Sequence, residues 1–516
     1  MDLNMCVLIV LVVCIGVCVA DETVSITTKL GVINGKVVKI KFRDHEFSSK
    51  QFLGVPYGRH PTGTLRFKKP EPYGRFETPF EAFEFGTACP QNDISNNGIE
   101  SKNEDCLSLN IYVPTTPTSN PPDYAVLIFI HGGGFIMGSS AMIPGDVLTS
   151  YGNIVFVSIN YRLGLFGFAS TGDKRAPGNQ GLWDQRLAIQ WVNDNIDAFG
   201  GDPSRITIMG ESAGSMSVFM QGLYPPNKGL FHNIIGESGT PALPFGNAMD
   251  NKAAMSIIAD NVDCVNENFD EAFICLQNVD TDTIMTKMNE LLAKPEFQMA
   301  IQFLPIIDGE FLKRDPRETI ALAKEITLDD VEFFRTLRVI TGLNSAEGGM
   351  WLQLLLAGSA DPESCVISHE DMRNIHISSM LPLVTKGKPV PELLKSIVAY
   401  QYTDWSYPEN ARLQYVKFTG DLFFNVPGVE WGLLHANSSD SNSWMYHFEA
   451  EVEKNVIPMP SWVKGANHAD ELMPIFGYSV KGFGELRNIT DYVPPEWELD
   501  LSEVMMTMWA NFIKTG

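Results

Sequence analysis

The only Gly-x-Ser-x-Gly in the 516-residue chain is Gly210-Glu211-Ser212-Ala213-Gly214. A serine hydroxyl is a weak nucleophile until a neighbouring base takes its proton. Set at a sharp turn from strand into helix, its Oγ stands clear of the backbone, and the residues two before and two after must be small so that strand and helix can approach. The flanks supply that setting, because residues 205–209 (RITIM) read as a strand and residues 213–223 as a helix. A second glycine-rich stretch is His131-Gly132-Gly133-Gly134. Glycines let backbone N–H groups approach a reacting atom, and a tetrahedral oxyanion needs two or three such donors, each typically worth about 10²–10³ in rate. Alone the stretch also fits a flexible turn at a strand end. Beside the serine it is the kind of oxyanion hole that accompanies such nucleophiles, and the chemistry indicated is acyl transfer.

These residues need rigid elements to hold them. Residues 124–130 (YAVLIFI) and 154–160 (IVFVSIN) are continuous apolar runs of strand length, suited to strands buried on both faces. From residue 182 to 199, Trp183, Leu187, Trp191, Val192, Ile196 and Phe199 recur at helical spacing, with Gly200-Gly201 as a stop. Strands alternating with helices predict an α/β fold with a mostly parallel central sheet flanked by helices. Residues 114–123 form the only linker-like stretch, and no internal repeat appears. The expected organisation is therefore a signal peptide over residues 1–20 and one domain over residues 21–516.

The 38 Lys and Arg against 62 Asp and Glu give a formal charge of −24, with no Lys/Arg-rich run. Capture of nucleic acid or anionic lipid needs a positive face, so both partner classes are excluded. Residues 6–19 are an unbroken apolar run, too short to span a bilayer. They read as the apolar region of a signal peptide, with Cys18 and Ala20 placing cleavage before Asp21, although residues 1–5 lack a basic residue and an uncleaved short anchor is the competing reading. The mature chain would keep Cys89, Cys106, Cys264, Cys275 and Cys365. In an oxidising compartment the sequence-local pairs Cys89 with Cys106 and Cys264 with Cys275 would each contribute about 2–4 kcal/mol, leaving Cys365 free. No CxxC pair or nearby histidine supports a metal site, and no cofactor is implied. Asn437 and Asn488 head glycosylation sequons, which matter if the chain is secreted.

Five further segments carry a resemblance: residues 104–110 (EDCLSLN), 131–135 (HGGGF), 160–164 (NYRLG), 178–185 (GNQGLWDQ) and 199–203 (FGGDP), running into GESAG. With these the chain resembles a type-B carboxylesterase of the cholinesterase/carboxylesterase family, which has the α/β-hydrolase fold. The resemblance covers nearly everything after the apolar leader. That family's acid lies in a segment similar to residues 342–348 (GLNSAEG) and its histidine in one similar to residues 465–470 (GANHAD). This implies the order Ser212, Glu347, His468 expected on the fold. Spacing alone would not single out His468 among nine histidines. The resemblance further implies an oxyanion hole from the N–H groups of Gly133, Gly134 and Ala213. It implies bridges Cys89–Cys106 and Cys264–Cys275, and ion pairs Arg66–Glu104 and Arg162–Asp184. Phe245, Met350 and Trp351 match positions that line the substrate pocket, with plain core packing as the alternative.

Departures narrow the reading. Residues 90–105 contain no aromatic, where cholinesterases carry the tryptophan that holds a quaternary ammonium, so choline esters are disfavoured. Glu211 before the nucleophile matches general carboxylesterases, and Glu237-Ser238-Gly239 stands where the family commonly has Gln-Ser-Gly. The chain stops at Gly516, where that family usually continues, so a further C-terminal tail is expected; the leader favours extracellular release, and retention in the ER lumen or a membrane anchor stays open because its signal would lie in that tail. The expected function is a secreted serine carboxylesterase acting on small, largely neutral esters. A non-catalytic adhesion module, as in neuroligin-like proteins, and a slow-turnover scavenger of toxic esters are the alternatives. The oligomeric state is not legible.

Overall fold

The computed structural model describes residues 22–91, 102–116, 123–242, 248–264, 268–294, 303–322, 329–356, 362–385, 389–407, 411–478 and 492–516. The expected leader at 1–20, the pocket candidate Phe245 and the sequon at Asn488 lie outside the described residues.

The strands, in chain order, are β1 (Glu22–Thr28), β2 (Gly31–Phe42), β3 (His45–Pro56), β4 (Phe80–Glu81), β5 (Ser108–Pro114), β6 (Tyr124–Ile130) and β7 (Val155–Ile159). They continue with β8 (Ser170–Asp173), β9 (Ala176–Pro177), β10 (Gly201–Glu211), β11 (Asn233–Glu237), β12 (Arg338–Asn344) and β13 (Ser443–Phe448). One large sheet runs β1-β2-β3-β5-β7-β6-β10-β11-β12-β13, with β4 beside β2, while β8 and β9 pair separately. Its first half, β1-β2-β3-β5-β7, is antiparallel, with the short β4 lying parallel to β2. From β7 across to β13 every pairing is parallel, and this half carries the site.

Helices on both faces explain the continuous apolar strands. Every residue of β6 and β7 is buried. Alternate side chains of β6 serve two cores: Val126, Ile128 and Ile130 face one with Ala188, Ile189, Val218 and Phe219 from the helices Gln180–Asn195 and Ala213–Gly222. Ala125, Leu127 and Phe129 face the other, with Met506 and Trp509 from the helix Glu496–Thr515. The period-2 geometry of a strand turns one apolar run into two interfaces.

Both expected disulfides, Cys89–Cys106 and Cys264–Cys275, are formed, and Cys365 is free. The first steadies the glycine loop: Gln91, two residues beyond Cys89, donates to Gly138 O at 2.9 Å and accepts from Gly138 N at 2.9 Å. Both expected ion pairs are buried. Arg66 Nε donates to Glu104 Oε2 at 2.8 Å, and its Nη1 reaches Leu276 O and Val279 O just past the second disulfide. Arg162 grips Asp184 through Nε at 2.7 Å and Nη2 at 2.6 Å. The chain between β12 and β13 is largely helical and includes the helices Glu392–Gln401, Arg412–Gly420 and Val426–Ser438, with one-turn π-helices at Met372–Ile377 and Asp421–Asn425. Among the described residues no helix is long and apolar enough to cross a membrane.

The Arg162–Asp184 pair is fully buried, so removing one partner strands the other's charge. Asp184→Ala is expected to lower stability by about 3–5 kcal/mol, read as a fall in the urea unfolding midpoint, whereas an unchanged midpoint would contradict a structural role.

Candidate active site

At the carboxyl end of β10 the chain turns into the helix Ala213–Gly222 within one residue, and Ser212 makes the turn at φ 56°, ψ −121°. That conformation is unfavourable for a side chain bearing a Cβ and persists only where the surroundings enforce it. Here Ser212 N–H donates to Glu237 O on β11 at 2.8 Å. Glycines make the turn possible. A Cβ on Gly210 would lie 2.3 Å from the carbonyl of Gly214, and one on Gly214 would lie 2.0 Å from Ile130 O.

The glycine loop after β6 lies against this elbow, since a Cβ on Gly132 would come within 3.1 Å of Ser212 Cβ. Gly133, Gly134 and Phe135 all have positive φ, at 100°, 62° and 64°. His131 fixes the loop's start by stacking on Tyr161 at 4.5 Å, while Tyr161 Oη donates to His131 O at 2.9 Å. Burial pushes the His131 ring down to about 4, so it stays neutral. Ala213 is the first residue of its helix, where N–H groups have no intrahelical acceptor and the helix dipole favours negative charge.

Glu347 and His468 arrive from separate segments. β12 ends at Asn344, and Glu347 follows in a turn whose next residue must be glycine, because a Cβ on Gly348 would sit 1.8 Å from Val416 O. The Glu347 carboxylate is wholly buried. Its Oε1 accepts from Asn344 N at 2.8 Å and from Ser238 Oγ at 2.6 Å, and its Oε2 faces His468 Nδ1 at 2.6 Å. The histidine segment is tied to the acid's segment by a bridge between Ala346 and Asn467, by Ala346 N to Ala466 O at 2.8 Å, and by Asn344 Nδ2 to Asn467 O at 2.7 Å. Asp470 clamps the same turn, accepting from Asn467 N and Asn455 Nδ2 at 2.7 Å and from Val456 N at 2.8 Å. Burial nevertheless pushes the Asp470 carboxyl up to about 7.

The far nitrogen of His468, Nε2, lies 3.0 Å from Glu211 Oε1. The ring thus stands between two carboxylates. Burial opposes its charge, but Glu211 and then Glu347 outweigh that and hold its pKa well above the ordinary histidine value.

Ser212, Glu347 and His468 thus lie in the turns after β10, β12 and β13, with Glu347 in contact with His468 and the Gly133–Gly134 loop adjoining the serine turn. Met350 and Trp351, on the helix Gly349–Leu356, pack with Leu343, Phe423 and Phe424. Phe424 lies in the π-helical turn Asp421–Asn425 and sets its ring 4.5 Å from that of His468. Sequence reasoning did not find Phe424. A π-turn leaves no periodicity signal, since it inserts one residue into an otherwise α-helical pattern. Asn344 and the contact of Glu211 with His468 also went unread, being products of tertiary proximity. Among the described residues no group of three or more His, Cys, Asp or Glu side chains is arranged to hold a metal ion.

Comparison with known proteins agrees with this architecture. Residues 22–516 match the profile of the Carboxylesterase family. Neuroligin-2 of Mus musculus is 33% identical over 513 residues, covering 90% of this chain but only 57% of that protein. Acetylcholinesterase of Danio rerio is 32% identical over 543 residues, 96% of this chain and 81% of that protein. Liver carboxylesterase 1F of Rattus norvegicus is 32% identical over 537 residues, 99% of this chain and 90% of that protein. A family match over nearly the whole length, on an α/β sheet with a serine elbow at the carboxyl end of an interior parallel strand, establishes that this chain belongs to the carboxylesterase family.

Proposed function

We propose that the protein is a serine carboxylesterase acting on small, largely neutral carboxylic esters, with Ser212 as nucleophile, His468 as base and Glu347 as its orienting acid. The observation that carries this reading is the buried 2.6 Å contact of Glu347 with His468 Nδ1 beside the strained turn at Ser212. In this reading His468 Nε2 takes the Ser212 proton as Oγ attacks the ester carbonyl carbon, and Glu347 stabilises the imidazolium. The N–H groups of Gly133, Gly134 and Ala213 hold the oxyanion. The ring then gives its proton to the departing alkoxide, and water, deprotonated by the same ring, releases the acid from Ser212. Met350, Trp351 and Phe424 form an apolar wall for the substrate, and Phe245 is proposed to extend it. Residues 1–20 direct the chain into the secretory pathway, where the exposed Asn437 at the end of its helix and Asn488 accept glycans.

A stopped-flow time course with a chromogenic acetyl ester tests this. The expected record is a burst equal to the enzyme concentration followed by sustained turnover, with kcat falling by about 10⁴-fold or more in Ser212→Ala. A burst with almost no turnover would assign the protein to slow-turnover scavenging. No serine-dependent signal on acetyl or longer acyl esters would sink the esterase reading in favour of an adhesion module.

A second expectation follows from Glu211. Only the neutral ring can accept the serine proton, so kcat/KM rises with pH as His468 deprotonates. The Glu211 carboxylate holds that proton on. Glu211→Gln is therefore expected to move the acid limb of the kcat/KM profile down by about one pH unit or more. A limb that stays in place would show that Glu211 does not govern the base.

A further inference from the structure

Behind the triad lies a carboxyl pair that the reaction above does not use. Glu237 ends β11 and Glu471 immediately precedes the short helix Leu472–Ile475, and both are fully buried. The register of β10 on β11 sets Glu237 directly beside Glu211, on strands about 4.8 Å apart, so the two side chains leave the same face of the sheet. Glu237 Oε1 accepts from Trp509 Nε1 at 3.0 Å, and the Tyr446 hydroxyl faces the same carboxyl. Glu471 Oε2 accepts from Asn344 Nδ2, and its Oε1 stands 3.4 Å from Ser238 Oγ. Ser238 has one hydroxyl proton, and the shorter 2.6 Å contact commits it to Glu347. Glu471 Oε1 therefore keeps only the longer contact with Ser238.

The charge balance leads the same way. Glu211, Glu237, Glu347 and Glu471 act on one another here, Tyr446 faces Glu237 with a neutral hydroxyl, Asp470 adjoins in its own clamp, and His468 is the group among them that can be positive. Even with His468 protonated, four ionised carboxylates would leave a large uncompensated negative charge in a dry interior, which proteins relieve by protonating a carboxyl.

We propose that Glu237 and Glu471 retain a single proton between them at neutral pH, and that Glu237 is a positioning residue whose proton keeps Glu471, Asn344 and Ser238 in place around Glu347. Burial and the neighbouring Glu471 hold the Glu237 carboxyl well above the usual range, and burial with Glu211 and Glu347 does the same for Glu471. When the proton is lost, two adjacent carboxylates repel. The end of β11 and the turn at Glu471 separate, and Ser238 and Asn344 lose their hold on Glu347. The positioning half of the proposal rests on the esterase reading, whereas the proton half does not.

Glu237→Gln in the full chain carries the neutral form at every pH and tests both halves. Infrared spectra at neutral pH are expected to show a protonated-carboxyl band that shrinks in Glu237→Gln. Asp470 contributes equally to both proteins, so the wild-type minus variant difference isolates the pair. A group whose folded pKa is raised loses stability as pH climbs from the usual carboxyl range towards the folded value, and an amide does not. The thermal midpoint of Glu237→Gln is thus expected to gain on the wild type steadily across that window. An absent difference band with a pH-independent midpoint gap would overturn the shared proton, whether or not the protein hydrolyses esters. If Glu237→Gln does not fold, Glu471→Gln serves for the same two measurements. With turnover established, the alkaline limb of kcat/KM is expected to move up by about one pH unit or more in Glu237→Gln and to persist in Glu237→Asp. An unmoved limb would overturn the positioning role.

Discussion

Everything at this site depends on keeping ionisable groups in contact while water is excluded from them. Glu347 has no exposed surface, yet its polar side chain is fully engaged. It meets a backbone donor from Asn344, a hydroxyl donor from Ser238 and the ring of His468. Each of those donors is itself fixed by something else. Ser238 N is bound to Gly342 O of β12, and Asn344 also reaches across to Asn467 O and Glu471. The acid, its donors and the segment that carries the histidine are one hydrogen-bonded unit, and low dielectric makes it strong when complete and costly when broken.

The parallel half of the sheet is what allows that unit to exist. In register, Gly210 stands beside Ile130 and Gly236, and Glu211 beside Glu237 and then Gly342. The strands therefore end at one level, and the turns that follow carry the glycine loop, Ser212, Ser238, Glu347 and the histidine segment to one edge. The carboxyl ends of parallel strands are where open α/β sheets place their ligands, and the twisted sheet also lends its strand ends a common rigid base. The antiparallel first half carries none of Ser212, Glu347 and His468. The connection between its strands β3 and β5 reaches Gly138 through Gln91, two residues beyond Cys89 of the Cys89–Cys106 bridge.

The parts legible in the sequence are those that local physics determines. Residues 124–130 coincide with β6, because a fully apolar, β-branched run between polar flanks has few other uses. The helix after Gln180 ends as an α-helix at Asn195 and continues as a 3₁₀ turn to Phe199, before the glycine stop that the sequence marks. β10 begins at Gly201, several residues before the RITIM run, since its first part is half-buried and lacks a hydrophobic signature. The serine elbow was readable because its sterics demand glycines at fixed offsets. Glu347 and His468 were not readable from periodicity or spacing and needed the family resemblance. Phe424, Glu471 and the clasp of Glu211 on His468 arise from segments far apart in the chain, where a sequence leaves no local trace.

The hydrogen bond from Trp509 to Glu237 joins residues 272 positions apart and brings the helix Glu496–Thr515 against the strand next to the serine elbow. During synthesis the serine elbow and the glycine loop leave the ribosome long before that helix does. Until it docks, Glu237 lacks its indole partner and the apolar side chains waiting for Met506 and Trp509 lie open. A nascent chain of this protein therefore carries its serine elbow early but an unfinished foundation until the helix Glu496–Thr515 is in place. That interval is when folding assistants have most to recognise.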